Sequence, residues 1–223
     1  MNAPTRVAHD SVSHARTVQY SDLEDPLQQV NAQAIRILKA ANEGPRPQDS
    51  TFLDALDVEL CNTDTAAIAL AARYPFLLVD CRFSNVDWWR EVCATPTRTR
   101  SGTQWLTQFP RKSAIALARA TLVLAWHSTR TNRSLTAVTL GLSPAVADII
   151  STLSLEGLQR IAEWQFRQVR PRWEDRPEVW RQILGAAAGG VSGDSSELRL
   201  RGFQLTIGDL LAPTRPPRRR LPI

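Results

Sequence analysis

The 223-residue chain is 43% hydrophobic, enough for one large or two small domains with a buried core. No apolar run reaches the roughly eighteen residues a membrane-spanning helix needs. The polar first 25 residues lack a secretory leader's apolar stretch, so a cytoplasmic protein without membrane contact is expected.

The net charge of +5 is unevenly placed. The first 93 residues carry eight basic and thirteen acidic side chains, while residues 111–185 carry eleven and six. Only the later half is therefore expected to face a polyanion. Arginine outnumbers lysine 25 to 2, which suits bidentate phosphate and guanine contacts or reflects arginine-rich codon usage.

Taken in chain order, residues 1–25 are expected to be disordered. Asp25-Pro26 opens a helix to about residue 42, with Leu27, Val30, Ala34, Ile37 and Leu38 on one face. Gly44-Pro45-Arg46-Pro47 ends it. Short helices are expected at about 50–60 and 64–73, a strand at 76–83 and an aromatic helix at 87–94. Residues 95–111, rich in Thr, Ser, Arg and Pro, read as a linker.

A long helix follows from Lys112 to His127 or beyond, apolar nearly all round and so destined for burial. After a turn at 129–132 and the segment 134–139, Gly141 allows a tight corner. Ser143 then caps a helix with Pro144 in its first turn, ending near Thr152. Ser154 caps the next helix, 155–164. Residues 165–170 are a strand candidate and 177–188 a helix. Residues 189–194 break structure, 198–207 suggest a small hairpin, and the proline- and arginine-rich 213–223 reads as an unfolded tail.

The chain resembles itself. Residues 64–83 align with 154–173 at an offset of 90 without gaps. Ile68 falls on Leu158, Ala72 on Ala162, Phe76 on Phe166 and Arg82 on Arg172. After a one-residue slip, Trp89-Arg90 falls on Trp180-Arg181. Upstream, Phe52, Ala55, Leu56 and Leu60 fall on Leu142, Ala145, Val146 and Ile150, and 32–42 resembles 118–128 at a slightly shorter offset. Identities are few, but the apolar positions coincide, and so does the order of long helix, short helices, extended segment and aromatic end.

Residues 140–173, LGLSPAVADIISTLSLEGLQRIAEWQFRQVRPRW, resemble the middle of the flagellar master-regulator subunit FlhD. Leu140-Gly141, Ala147, Leu153, Leu155, Ala162-Glu163 and Arg172 with its following aromatic carry the likeness. The first copy matches more weakly, chiefly at Arg82-Phe83. The resemblance implies a mostly α fold of two tandem FlhD-like repeats, 26–94 and 112–188, forming a pseudo-dimer with short β segments. It implies a transcriptional activator subunit working with an FlhC-like protein, in a flagellar or mobile-element setting, with higher oligomers open. The family's intersubunit cysteine falls at Val169, so that crosslink is not expected.

Residues 135–163 also suggest a helix-turn-helix variant, with Arg130, Arg133, Arg167, Arg170 and Arg172 flanking it as phosphate contacts. The groove helix, 144–152, offers few polar groups for base readout, so mainly backbone contact is expected. The tail arginines Arg218, Arg219 and Arg220 are further candidates, or a solubilising tail. Seven tryptophans are many for this length. Trp88, Trp89, Trp126 and Trp180 are candidates for partner packing or for the core. No phosphate loop, HExxH, GxSxG or carboxylate pair points to an enzyme. The dispersed Cys61, Cys81 and Cys93 make no metal site, and no cofactor is expected. The rival reading is a partner-binding antiactivator or scaffold without DNA contact.

Overall fold

The computed structural model describes residues 10–44, 51–95, 108–190 and 196–211. The fold is mostly α, as expected. The first half runs α1 (Asp10–Glu43), α2 (Thr51–Ala55), α3 (Asp57–Asn62), α4 (Thr65–Ala72), β1 (Val79–Asp80) and α5 (Val86–Ala94). The second runs α6 (Arg111–Thr131), α7 (Arg133–Leu140), α8 (Pro144–Thr152), α9 (Leu155–Trp164), a 3-10 turn at Phe166–Gln168, β2 (Arg170–Pro171) and α10 (Pro177–Ala188). A last helix, α11 (Ser196–Leu211), follows.

Side-chain caps set five of the helix starts among the described residues. The Asp64 carboxylate accepts the Ala67 N–H at 2.7 Å, and the Ser154 hydroxyl accepts the Gly157 N–H at 3.1 Å. Asn85, Asn132 and Ser143 do the same for α5, α7 and α8. Each satisfies an N–H that the first turn would otherwise leave unpaired.

The two halves interlock. The long helices α1 and α6 lie against each other, α1 covering α3 and α4, and α6 covering α7, α8 and α9. α10 crosses over to pack on α3 and α4, while α5 crosses the other way onto α8 and α9. One continuous apolar core therefore spans both halves. At its centre β1 and β2 pair antiparallel, Val79 opposite Pro171 and Asp80 opposite Arg170. Backbone bonds continue the seam: Leu77 N–H to the Thr139 carbonyl, Arg172 N–H to that of Leu78, and Ser143 N–H to that of Phe83, each near 3 Å.

Buried Asn31 fixes the segment entering β1. Its amide donates to the carbonyls of Ala72, Tyr74 and Phe76, and its oxygen accepts the Leu78 N–H at 2.9 Å. The loop's backbone groups are thus satisfied without a sheet.

Three expectations need correction. The segment 10–25 is helical: α1 runs straight through Pro26. Leu23, Leu27 and Val30, spaced to share one helix face, are all buried across it. Residues 198–207 form no hairpin but lie within α11, which buries Gly202 and Thr206, four apart. The strands are also shorter than expected. Only Val79–Asp80 of 76–83 pairs, and of 165–170 only Arg170 does, after a 3-10 turn at Phe166–Gln168. The tail beyond Leu211 and residues 96–107 of the expected linker lie outside the described residues, although Phe109 is buried.

Candidate functional site

The expected phosphate contacts separate into engaged and available arginines. Arg172 is buried. Its guanidinium donates to the Leu140 carbonyl at the C-terminal end of α7 and to the Thr206 hydroxyl of α11. A cation there suits the negative end of the helix dipole. It fills the corner at Gly141, whose φ of +67° and lack of a side chain both matter, since a Cβ would overlap the guanidinium. Burial lowers the Arg172 pKa from its ordinary value, though Asp80 and Asp209 oppose this. Arg172 is accordingly no phosphate contact.

Arg170 belongs to the seam. Nε and Nη2 each donate to Asp80 Oδ2 at 3.2 Å, and Nη1 to Glu174 at 3.4 Å. Burial would raise the Asp80 pKa, but Arg170, Arg172 and the Phe83 N–H more than offset it, so the carboxyl lies below its usual range. Arg133, in the first turn of α7, is exposed but pairs with Asp148 of α8 and donates to the Pro144 carbonyl at 2.8 Å. It holds the 114° bend between α7 and α8.

α8 itself is ill equipped to read bases. Asp148 is tied to Arg133, and the Ser151 and Thr152 hydroxyls bond back to carbonyls three residues earlier.

Two expected arginines remain open, and a third joins them. Arg130 stacks over the Trp126 ring at 4.7 Å, while the Trp126 indole donates to the Leu153 carbonyl at 2.8 Å. Arg167 lies 5.7 Å from the Phe166 ring centroid. Arg111, which the sequence reading assigned to the linker, lies over the same ring at 5.5 Å. The signal that could have found it is the Arg111-Lys112 pair opening a long helix. Among the described residues these three arginines make no ion pair, whereas Arg119, Arg160, Arg176 and Arg181 each meet a carboxylate. Arg218, Arg219 and Arg220 lie outside the described residues.

The tryptophans also divide. Trp89 and Trp180 are fully buried, each donating its indole N–H to an arginine carbonyl, Trp89 to Arg82 at 3.1 Å and Trp180 to Arg172 at 2.6 Å. Trp88 packs edge-on against Trp89 at 5.3 Å and is buried too. These three are core residues, because their rings fill the space where α5 and α10 cross between the halves. Trp126 keeps a half-exposed face.

No His, Cys, Asp and Glu group among the described residues could hold a metal ion. No single described helix is long and apolar enough to cross a membrane. Comparison with protein families, curated proteins and solved structures finds no match to this chain.

Proposed function

We propose that the chain is an FlhD-like regulatory subunit of two tandem units, 26–94 and 112–188, folded on one another as a pseudo-dimer. It acts in the cytoplasm without catalysis, by binding an FlhC-like partner protein and, with it, DNA. The carrying observation is the strand crossing. Asp80 and Arg170 face each other, and they are also the positions that align at the 90-residue offset. A residue meeting its own equivalent is the signature of an isologous contact.

Further observations support the reading. The crossings match, α10 onto α3 and α4 and α5 onto α8 and α9. Two residues beyond each strand a non-glycine residue takes φ of 57°, Arg82 in the first half and Trp173 in the second, one position off the gapless alignment. Fusing two units makes their association intramolecular at high effective concentration, so no second chain is needed to complete the core.

The DNA contact is narrow, confined to Arg130 with the tail arginines Arg218, Arg219 and Arg220, and it is to phosphates. Base reading falls to the partner. The test is a gel shift of the chain with and without the FlhC-like subunit. A shift that needs both proteins and weakens in Arg130→Glu supports the reading, and a shift indifferent to the chain sinks it. Arg133 and Arg170 are unsuitable targets because they hold the fold.

The internal engagement of Arg133, Arg170 and Arg172 favours a second reading, an antiactivator that captures the partner away from DNA. It predicts that the chain abolishes the partner's own shift.

A further inference from the structure

α11 has no described counterpart in the first half. It lies on α7 and on Phe76, edge-on to the Phe203 ring at 5.9 Å, and Gly202 sits so close that a Cβ would overlap the Phe76 ring. Trp173 flanks this seat, packing on Phe76 at 5.5 Å and donating its indole N–H to Asp209 of α11 at 2.9 Å. Phe76 is fully buried in consequence.

Phe166 aligns with Phe76 but is only half-buried, its 3-10 turn resting on α6. Arg111 and Arg167 flank its ring, and Arg82 reaches the adjoining Gln168, its Nε donating at 2.6 Å. The second seat has the same aromatic floor. Its rim carries cations where the first seat carries an indole that binds a carboxylate.

We infer that the Phe166 platform, framed by Arg111 and Arg167, is a docking seat for an acidic amphipathic helix of the partner protein, laid as α11 is laid on Phe76. This rests on the tandem reading above. The apolar stripe of such a helix covers the ring, and its carboxylates meet the two guanidiniums, which lack acidic partners of their own among the described residues. Arginine over an aromatic ring stays weakly hydrated and available for bidentate pairing. DNA phosphate would satisfy the charges but leave the ring uncovered.

The experiment uses the full chain and two fluorescein-labelled helical peptides with the same leucine stripe, one flanked by glutamates and the other by lysines, beside a random-sequence DNA duplex. The glutamate peptide should bind and the lysine peptide should not. Arg111→Glu with Arg167→Glu should weaken glutamate-peptide binding at least about tenfold, and the alanine pair should weaken it less. Unchanged thermal unfolding of these surface variants confirms an intact fold.

Failure of the glutamate peptide to bind, or equal binding by the reversed variant, overturns the inference. So does duplex binding that the reversal abolishes, which would make the seat a phosphate site. Self-association of the free chain lost on reversal also overturns it, by giving the seat to a second copy. The tandem reading is checked separately by Trp89→Phe and Trp180→Phe, which should cost similar stability. If these match while the peptide fails, only the seat is wrong.

Discussion

Trp89 in the first half and Trp180 in the second are held by the carbonyls of Arg82 and Arg172, and both indoles are fully buried. The side chains of the same two arginines behave oppositely. Arg172 turns inward to the α7 terminus and α11, whereas Arg82 turns outward to Gln168 and lies 5.8 Å from the Trp88 ring. The backbone carbonyl does one job twice, while the guanidinium has been recruited differently on each side. Contacts that close the shared core match between the halves, and those at its edge differ.

The largest effects test the matched part. Trp89→Ala and Trp180→Ala should each cost about 3–5 kcal/mol, a buried aromatic plus its cavity, measured by urea unfolding. Similar costs sustain the equivalence. A large cost at one site alone would break it, because one tryptophan would then be closing a local cluster rather than a shared joint.

Asp80→Asn comes next, at about 2 kcal/mol, since it removes a charged acceptor from a partly exposed Arg170 and leaves that guanidinium with Glu174. The depressed Asp80 pKa gives the sign. Its contribution is full above the ordinary carboxylate range and fades as pH falls below about 4, through the depressed value. The variant should therefore show a flatter loss of stability on the acid side than the native chain.

Gly141→Ala probes the diverged edge and should cost about 1–3 kcal/mol, through left-handed strain and displacement of Arg172. The aligned position in the first half is Thr51, the first residue of α2. Thr51→Ala should accordingly leave thermal unfolding nearly unchanged. Equal costs at the two sites would erase the distinction.

How much of this was legible depended on local chemistry. Ser143-Pro144, Ser154 and Pro177 announced α8, α9 and α10, because caps and first-turn prolines act within a few residues. Pro26 misled for the same reason. A first-turn proline and an interior one look alike until the buried Leu23 shows that the stripe continues upstream. α11 hid because its buried face is Gly202 and Thr206, which carry no apolar period. Burial of Arg172 was not legible, since its partners, the Leu140 carbonyl and Thr206, lie more than thirty residues away on either side and involve no acid. Likewise, charge counts showed a basic second half but not that Arg119, Arg133, Arg160 and Arg176 meet carboxylates of their own half.

The smallest effect concerns α11, the element without a described counterpart. Burial raises the Asp209 pKa, with the Trp173 indole, Arg176 and Arg172 opposing. A raised carboxylate pKa means that docking is fully supported below the ordinary value and weakens as pH climbs through the raised one. The Asp209 side chain is 41% exposed beside Arg176, so solvent screening holds the change to a few tenths of a kcal/mol. It is best read by hydrogen exchange in α11, which should quicken between pH 4 and 7 beyond the intrinsic rate change. Asp209→Asn keeps an acceptor for the indole and should remove that excess while leaving exchange in α4 and α9 as it was. An excess that persists in the variant would mean that α11 is loosened from elsewhere, and the asymmetry of the two edges would then need another cause.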